Sequence, residues 1–136
     1  MSSGSVTQVI GAVVDCQFPE GKLPSIYSAL TTTIASSTLT LEVQQHLDGN
    51  VVRTVAMDST DGLQRGTAVT DTGSPITVPV GPESLGRMFN VLGKPIDEKP
   101  APVTKKMYSI HRSAPSLEER EAATQIFETG IKAVDL

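Results

Sequence analysis

The sequence predicts a mainly β protein that begins with a small closed barrel. Several short runs alternate between apolar and polar residues with a period of two, which is typical of half-buried strands. Turn residues separate these runs at frequent intervals, and closure into a barrel would remove the exposed edges of so many short strands. Val, Thr and Ser are abundant and aromatic residues make up only 4% of the 136 residues, so the core is expected to be aliphatic.

The first predicted strand covers residues 6–18, in which six of the seven even-numbered positions are apolar. Asp15 falls on the opposite, polar face of this strand. Gly11 lies in its middle and predicts a bulge or a bend. The tripeptide Pro19-Glu20-Gly21 then ends the strand.

The next strands are predicted less evenly. Residues 22–30 fit either one apolar helical turn or an irregular strand, and the Thr/Ser-rich residues 31–38 are interpreted as a solvated loop. Residues 39–43 alternate cleanly, and the turn residues Asp48-Gly49-Asn50 join them to a return strand at 51–57. Two further strands are predicted at 67–70 and 76–80, separated by a turn at 71–75.

The pattern changes at Gly81-Pro82. Apolar residues at 85, 88, 89 and 92 have helical spacing and predict a short helix that stops at Gly93. Prolines at 95, 100 and 102 predict extended backbone over residues 94–103. Ser116 and Glu119 fit a capping box, which predicts a helix from 117 to about 128. Because the sequence stops on an apolar residue, we interpret it as cut from a longer chain.

Composition excludes several classes of function. The net charge is −4 and the eleven Lys and Arg residues are scattered, which argues against a nucleic-acid partner. A single cysteine, Cys16, cannot form an intrachain disulfide, and its place on the apolar face predicts an unreactive core thiol. No apolar run reaches the length of a membrane span, and the first residues match neither a secretory signal nor an Arg-rich transit peptide.

No catalytic, cofactor-binding or metal-binding residue is predicted. The acidic clusters Asp58/Asp61 and Asp97/Glu98 suit turns, and the cluster at 118, 119 and 121 suits the first turn of a helix. His46 and His111 lack the neighbours of a metal site, so surface or hinge roles are predicted.

Nucleophile and phosphate motifs are also missing from the sequence. Ser36, Ser37 and Ser59 lack the Gly-x-Ser-x-Gly context of a serine nucleophile. The glycine-rich stretches at 62–66 and 81–86 lack the Lys-Ser/Thr end of a phosphate loop, so turn geometry explains them.

Several segments of the chain carry a resemblance to a known family. These segments are 8–15 (QVIGAVVD), 41–47 (LEVQQHL), 51–58 (VVRTVAMD), 57–66 (MDSTDGLQRG), 75–81 (PITVPVG), 78–93 (VPVGPESLGRMFNVLG), 110–115 (IHRSAP) and 128–136 (ETGIKAVDL). They resemble, in the same order, the N-terminal region of the beta subunit of F-type ATP synthases. The N-terminus resembles a bacterial member of the family more than a mitochondrial precursor.

The resemblance implies a fold and a division of the chain. Residues 1–80 are expected to form a six-stranded β-barrel, and residues 81–136 the truncated start of an α/β nucleotide-binding domain. The implied partners are alpha subunits, which alternate with beta subunits in a hexameric ring, and a central stalk. The implied location is the cytoplasmic face of the bacterial inner membrane, which the chain contacts only through other subunits.

The resemblance also implies an activity for the complete subunit, which joins ADP and phosphate into ATP using a transmembrane proton gradient. ATP, ADP and Mg²⁺ are the implied ligands of that complete subunit. No Gly-x-x-x-x-Gly-Lys-Ser/Thr phosphate loop occurs in this sequence. The 136-residue chain alone is therefore expected to be inactive, with no cofactor of its own.

Two other functions remain open from the sequence. The chain could be a stand-alone, non-catalytic β-barrel interaction module derived from the same subunit. It could also be a single-strand nucleic-acid binder with an OB fold, but the acidic charge and the five Phe and Tyr residues disfavour that function.

Overall fold

The computed structural model describes residues 2–35, 37–104, 106–120 and 126–136 of the chain. The strands are β1 (Ser3–Ile10), β2 (Val13–Gln17), β3 (Ser28–Ile34), β4 (Ser37–Leu47), β5 (Val51–Ala56), β6 (Ala68–Pro75), β7 (Thr77–Val80) and β8 (Lys106–Ser109). A 3₁₀ turn at Pro82–Ser84 and a short helix α1 (Lys132–Asp135) complete the elements of the described residues.

The first six strands form a closed antiparallel barrel in the order β1-β2-β5-β4-β3-β6. The barrel closes where β6 pairs with β1, with Gly4 opposite Val69. Every one of these strands therefore has a neighbour on both sides, so the barrel leaves no open strand edge. The structure confirms the predicted mainly β fold and its six-stranded barrel.

The interior of the barrel is aliphatic, as the composition predicts. The buried apolar residues that pack together are Val6, Val14, Cys16, Phe18, Leu30, Leu39, Leu41, Val43, Val52 and Val69. They come from β1 to β6 and from the residue that follows β2, because alternate positions on each strand face inward. The single core thus ties all six strands together.

The prediction of one long first strand is wrong. Ile10 pairs with Val13, so Gly11 and Ala12 form a two-residue hairpin turn, and Gly11 adopts a positive φ of 58°. The register shift lies earlier, between Val6 and Gln8. This bulge changes which positions face inward, so Ile10 is exposed although the alternation places it on the apolar face.

The prediction of a solvated loop at 31–38 is also wrong. Residues Thr31 to Ile34 belong to β3, which pairs with β4 through Thr31 opposite Thr40 and Thr33 opposite Thr38. Threonine suits a strand because its branched side chain fits the pleated surface. The hydroxyl of the buried Thr32 donates to the Ala68 carbonyl at 2.8 Å. High polarity alone therefore did not distinguish a loop from a barrel strand.

The hairpin predicted around residues 48–50 is confirmed, with Leu47 opposite Val51. The turn predicted at 71–75 is wrong, because β6 continues through these residues against β3. Gly73 has a positive φ of 74° and donates its N–H to the Asp71 carboxylate, so the local contacts expected of a turn occur within the strand.

The strand β7 lies outside the barrel and pairs with β8. The division of the chain at residue 80 stays a prediction.

The helix predicted at 85–92 is absent from these described residues. The 3₁₀ turn at Pro82–Ser84 gives way to extended backbone at Leu85 and a positive φ of 68° at Gly86, which stops helical propagation. A backbone bridge between Phe89 and Pro95 then closes a loop. Residues 94–103 contain no helix, as predicted.

The second predicted helix, at 117–128, is wrong wherever the structure describes it. Residues 117–119 form a turn, 126–128 are not helical, and 121–125 lie outside the described residues. Part of the capping box still forms, because the Ser116 N–H donates to the Glu119 carboxylate at 3.2 Å. Four residues of α1 further along were not predicted.

Candidate functional site

The structure brings Tyr27, Glu42 and His111 together at the edge of the barrel, and we call these three residues the rim cluster. Glu42 lies on β4 and His111 lies two residues after β8. The Nε2 atom of His111 is 2.9 Å from the Oε2 atom of Glu42. The imidazole also stacks on the Tyr27 ring, with centroids 4.0 Å apart and an interplanar angle of 18°. The rim cluster therefore joins the barrel to the segment that follows it.

Glu42 is the buried member of the rim cluster. Its side chain is 6% exposed, against 34% for His111. Its Oε1 atom accepts a hydrogen bond from the Gln44 amide at 2.6 Å. A carboxylate so far from water needs such partners, because an unpaired buried charge costs several kcal/mol. The sequence predicted a surface or hinge role for His111 but gave no signal for this partner.

An ion pair lies on the outward face of the barrel strands, where the Arg53 side chain is 41% exposed and covers the Asp15 side chain, which is 7% exposed. Asp15 on β2 faces Arg53 on β5, and the guanidinium donates two hydrogen bonds of 2.9 Å to the carboxylate. The hydrogen bond and the charge of Asp15 raise the pKa of the Arg53 guanidinium. The pair links the same two strands that the ladder links, so its role is structural.

Another ion pair, between Arg87 and Asp97, organises the loops after β7. The Arg87 guanidinium binds both carboxylate oxygens of Asp97 and also donates to the carbonyl of Pro100 at 2.7 Å. The hydrogen bond from Arg87 holds the pKa of the Asp97 carboxyl well below its usual range. Asp97 also accepts the Lys99 N–H at 3.4 Å, a local contact that fits the turn predicted for this cluster.

Cys16 lies in the barrel core, as predicted. Burial raises the pKa of its thiol to about 12, and the charge of Asp15 acts in the same direction, while a hydrogen bond with Thr54 opposes them. Because only the thiolate is a strong nucleophile, this thiol is unsuited to catalysis.

We expect Cys16 to react with an aromatic disulfide reagent at pH 8 at least about 100-fold more slowly in the folded chain than in urea, since the folded thiol stays protonated and covered. Because folding raises the pKa of the Cys16 thiol, the protonated thiol contributes stability that is present below about pH 8.5 and is lost as the pH rises toward 12. With about one equivalent of reagent, the absorbance at 412 nm of the released aromatic thiolate measures the rate of the Cys16 reaction. Complete labelling of the folded chain at the rate seen in urea would contradict the expectation.

The other candidate residues remain separate. His46 is exposed on β4 and its Nε2 atom lies 2.7 Å from the Pro24 carbonyl oxygen. Asp58 accepts the N–H of Ser59 in a turn. Ser36 and Glu121 lie outside the described residues. Within the described ranges, no group of three or more His, Cys, Asp and Glu residues is placed to hold a metal ion.

The fold and these contacts define a small β-barrel domain whose buried carboxylates, Asp15 and Glu42, each contact a side chain from another strand or segment. A sequence profile of the ATP synthase alpha/beta family, beta-barrel domain, matches residues 6–73, which is half of the chain. The chain belongs to this ATP synthase alpha/beta family, and the match covers the barrel from Val6 on β1 into β6. Among the described residues no helix has the length and apolar character needed to cross a membrane.

Proposed function

We propose that the chain is the N-terminal portion of the catalytic beta subunit of a bacterial F-type ATP synthase, where it supplies the ring-forming barrel and not the active site. The observation that carries this proposal is the family match over residues 6–73, which coincides with a closed barrel. The choice of the beta subunit rests on segments beyond the match, such as 75–81 and 110–115, which resemble that subunit.

The proposed activity belongs to the complete subunit. That subunit joins ADP and phosphate into ATP with Mg²⁺, driven by a transmembrane proton gradient. Phosphoryl transfer of this kind needs a phosphate loop, a bound metal ion and positioned charges. These 136 residues contain no phosphate loop, so we assign them an assembly role within the enzyme.

The proposed partners are alpha subunits, placed on both sides of each beta barrel in an alternating ring, with a central stalk in the complete complex. Exposed apolar side chains such as Ile10 and Ile26 support a protein interface on the barrel. The acidic net charge disfavours a nucleic-acid partner. The proposed location is the cytoplasmic face of the bacterial inner membrane, reached only through other subunits.

Sedimentation tests the proposed ring. We expect the chain to self-associate at concentrations of tens of micromolar, because apolar surface is uncovered, and to form a defined complex with the matching alpha subunit. Analytical ultracentrifugation of the chain alone, of the alpha subunit alone and of their mixture measures both effects. A clean monomer that ignores the alpha subunit would favour the stand-alone interaction module, and equal binding to a beta subunit would argue against the beta assignment.

We expect the 136-residue chain to show no ATP affinity tighter than about 1 μM and no ATP hydrolysis, since it has no phosphate loop to bind the nucleotide. Titration calorimetry with ATP and Mg²⁺ measures the affinity, and a complete family subunit with its phosphate loop is the positive control. Submicromolar binding to the chain would remove the assignment of a purely assembly role.

A further inference from the structure

Residues 106–112, which we call the strap, return from the second segment to the barrel rim. The strap holds β7 through the β7–β8 ladder, and its Ile110 N–H donates to the Ile76 carbonyl at 3.1 Å. Its large apolar side chains Met107 and Ile110 are both exposed. Apolar burial of these side chains therefore does not hold the strap on the barrel.

The buried carboxylate of Glu42 is the first feature of the barrel that requires the strap. One of its oxygens is bonded within β4, to Gln44, and the other is 2.9 Å from the His111 ring. A buried charge that loses such a partner is destabilised until water or another donor reaches it. Glu42 thus favours the docked position of the strap.

The backbone of Tyr27 is the second such feature. Tyr27 has a φ of 68°, in the left-handed region that disfavours residues with a side chain, and its N–H donates to the Val43 carbonyl at 2.8 Å. This costly conformation points the ring at His111, on which it stacks. Such strain persists where the surrounding contacts favour it and is often found at switch regions.

The position of His111 on the strap is itself fixed. The Ser109 hydroxyl accepts the His111 N–H at 3.1 Å and donates to the His111 carbonyl at 3.2 Å. The imidazole is therefore presented to the rim by a local turn, and does not depend on a long flexible connection.

We propose that the rim cluster is a releasable clamp, which holds the strap and β7 on the barrel and can open without unfolding the barrel. The six barrel strands pair only with one another in a closed ladder, so loss of the His111 contact removes no hydrogen bond between them. Opening instead frees the strap and β7 as one paired unit, because the ladder between β7 and β8 does not involve the His111 side chain. The direction in which the chain continues from the barrel is freed with them. This inference stands whether or not the proposed subunit assignment holds.

Hydrogen exchange of the full 136-residue chain tests the clamp. In His111→Ala, we expect exchange in peptides covering the strap to rise on the order of tenfold, while peptides from β4 and β5 stay within about twofold of the wild type. Tyr27→Gly removes the ring together with the backbone strain, so we expect the same rise in the strap without loss of barrel stability. His46→Ala is the matched control. It removes an imidazole from β4, the strand that carries Glu42, but the contact of His46 is with the Pro24 carbonyl oxygen, which lies outside the strap.

A second measurement reports the stacking directly and does not depend on exchange rates. The ring protons of His111 should move upfield in proton NMR when Tyr27 is present and return toward free-histidine positions in Tyr27→Gly. Unchanged strap exchange in His111→Ala would overturn the clamp. A rise of equal size in the β4 and β5 peptides would also overturn it, because the contact would then belong to the folding of the barrel.

Discussion

Replacing Leu41 by alanine is expected to lower the free energy of unfolding by about 2–5 kcal/mol. Leu41 lies on β4, between β5 and β3 in the closed barrel, and is 0% exposed. The truncated side chain would leave a cavity among side chains from several strands, and a closed barrel has little freedom to collapse into it. Urea unfolding followed by far-UV circular dichroism measures the change, since the chain has no tryptophan.

Leu85→Ala is the matched control for this experiment. Leu85 is 79% exposed, so the same truncation there is expected to change the free energy of unfolding by no more than about 0.5 kcal/mol. Similar losses in the two variants would show that Leu41 is not part of a tightly packed core.

Replacing Gly4 by valine is expected to cost about 1–3 kcal/mol and to loosen the closing strand of the barrel. A Cβ atom at Gly4 would collide with the Gln17 carbonyl oxygen and lie 3.0 Å from the ring of Phe18. Because β1 pairs with both β2 and β6, a shift of β1 would weaken the β1–β6 pairing that closes the barrel. Urea unfolding gives the loss in stability, and hydrogen exchange in peptides from β1 and β6 locates it.

The neighbouring substitution Ser3→Val separates the collision from the chemistry of valine. Ser3 lies on the same strand with an exposed side chain, and valine favours strands, so we expect a change within about 0.5 kcal/mol. An equal change in the free energy of unfolding in Ser3→Val and Gly4→Val would show that the barrel does not depend on a close approach at Gly4.

The sequence predicted the barrel where local signals and long-range packing agreed. Leu39, Leu41 and Val43 alternate on a strand whose inward face is buried, and residues 48–50 form the turn that their types favour. Prediction failed at the bulge between Val6 and Gln8, because a change of register depends on the partner strand and leaves no mark in local periodicity. It failed again at residues 85–92, where a helical spacing of apolar residues was outweighed by Gly86 and the Arg87–Asp97 pair.

The candidate site was the least predictable part. Cys16 was identified as a core thiol because strand parity alone places it inside. Glu42 lies at a polar position in the alternation of its strand, so the sequence indicates a solvent-facing residue. In the structure its carboxylate is covered by His111, which is 69 positions further along the chain. Such pairs form only when the barrel brings distant segments together.

The sequence by itself determined the strand-rich composition, the aliphatic core, the turn at 48–50 and the absence of a phosphate loop from these residues. Each of these depends on residue types or on neighbours close in the chain. The tertiary structure alone decided the closure of β1 on β6, the close approach at Gly4 and the joining of Tyr27, Glu42 and His111. Strand register, the space available at Gly4 and the burial of the Glu42 carboxylate all depend on segments that are distant in the chain and come together only in the folded barrel. Local sequence patterns therefore do not determine them.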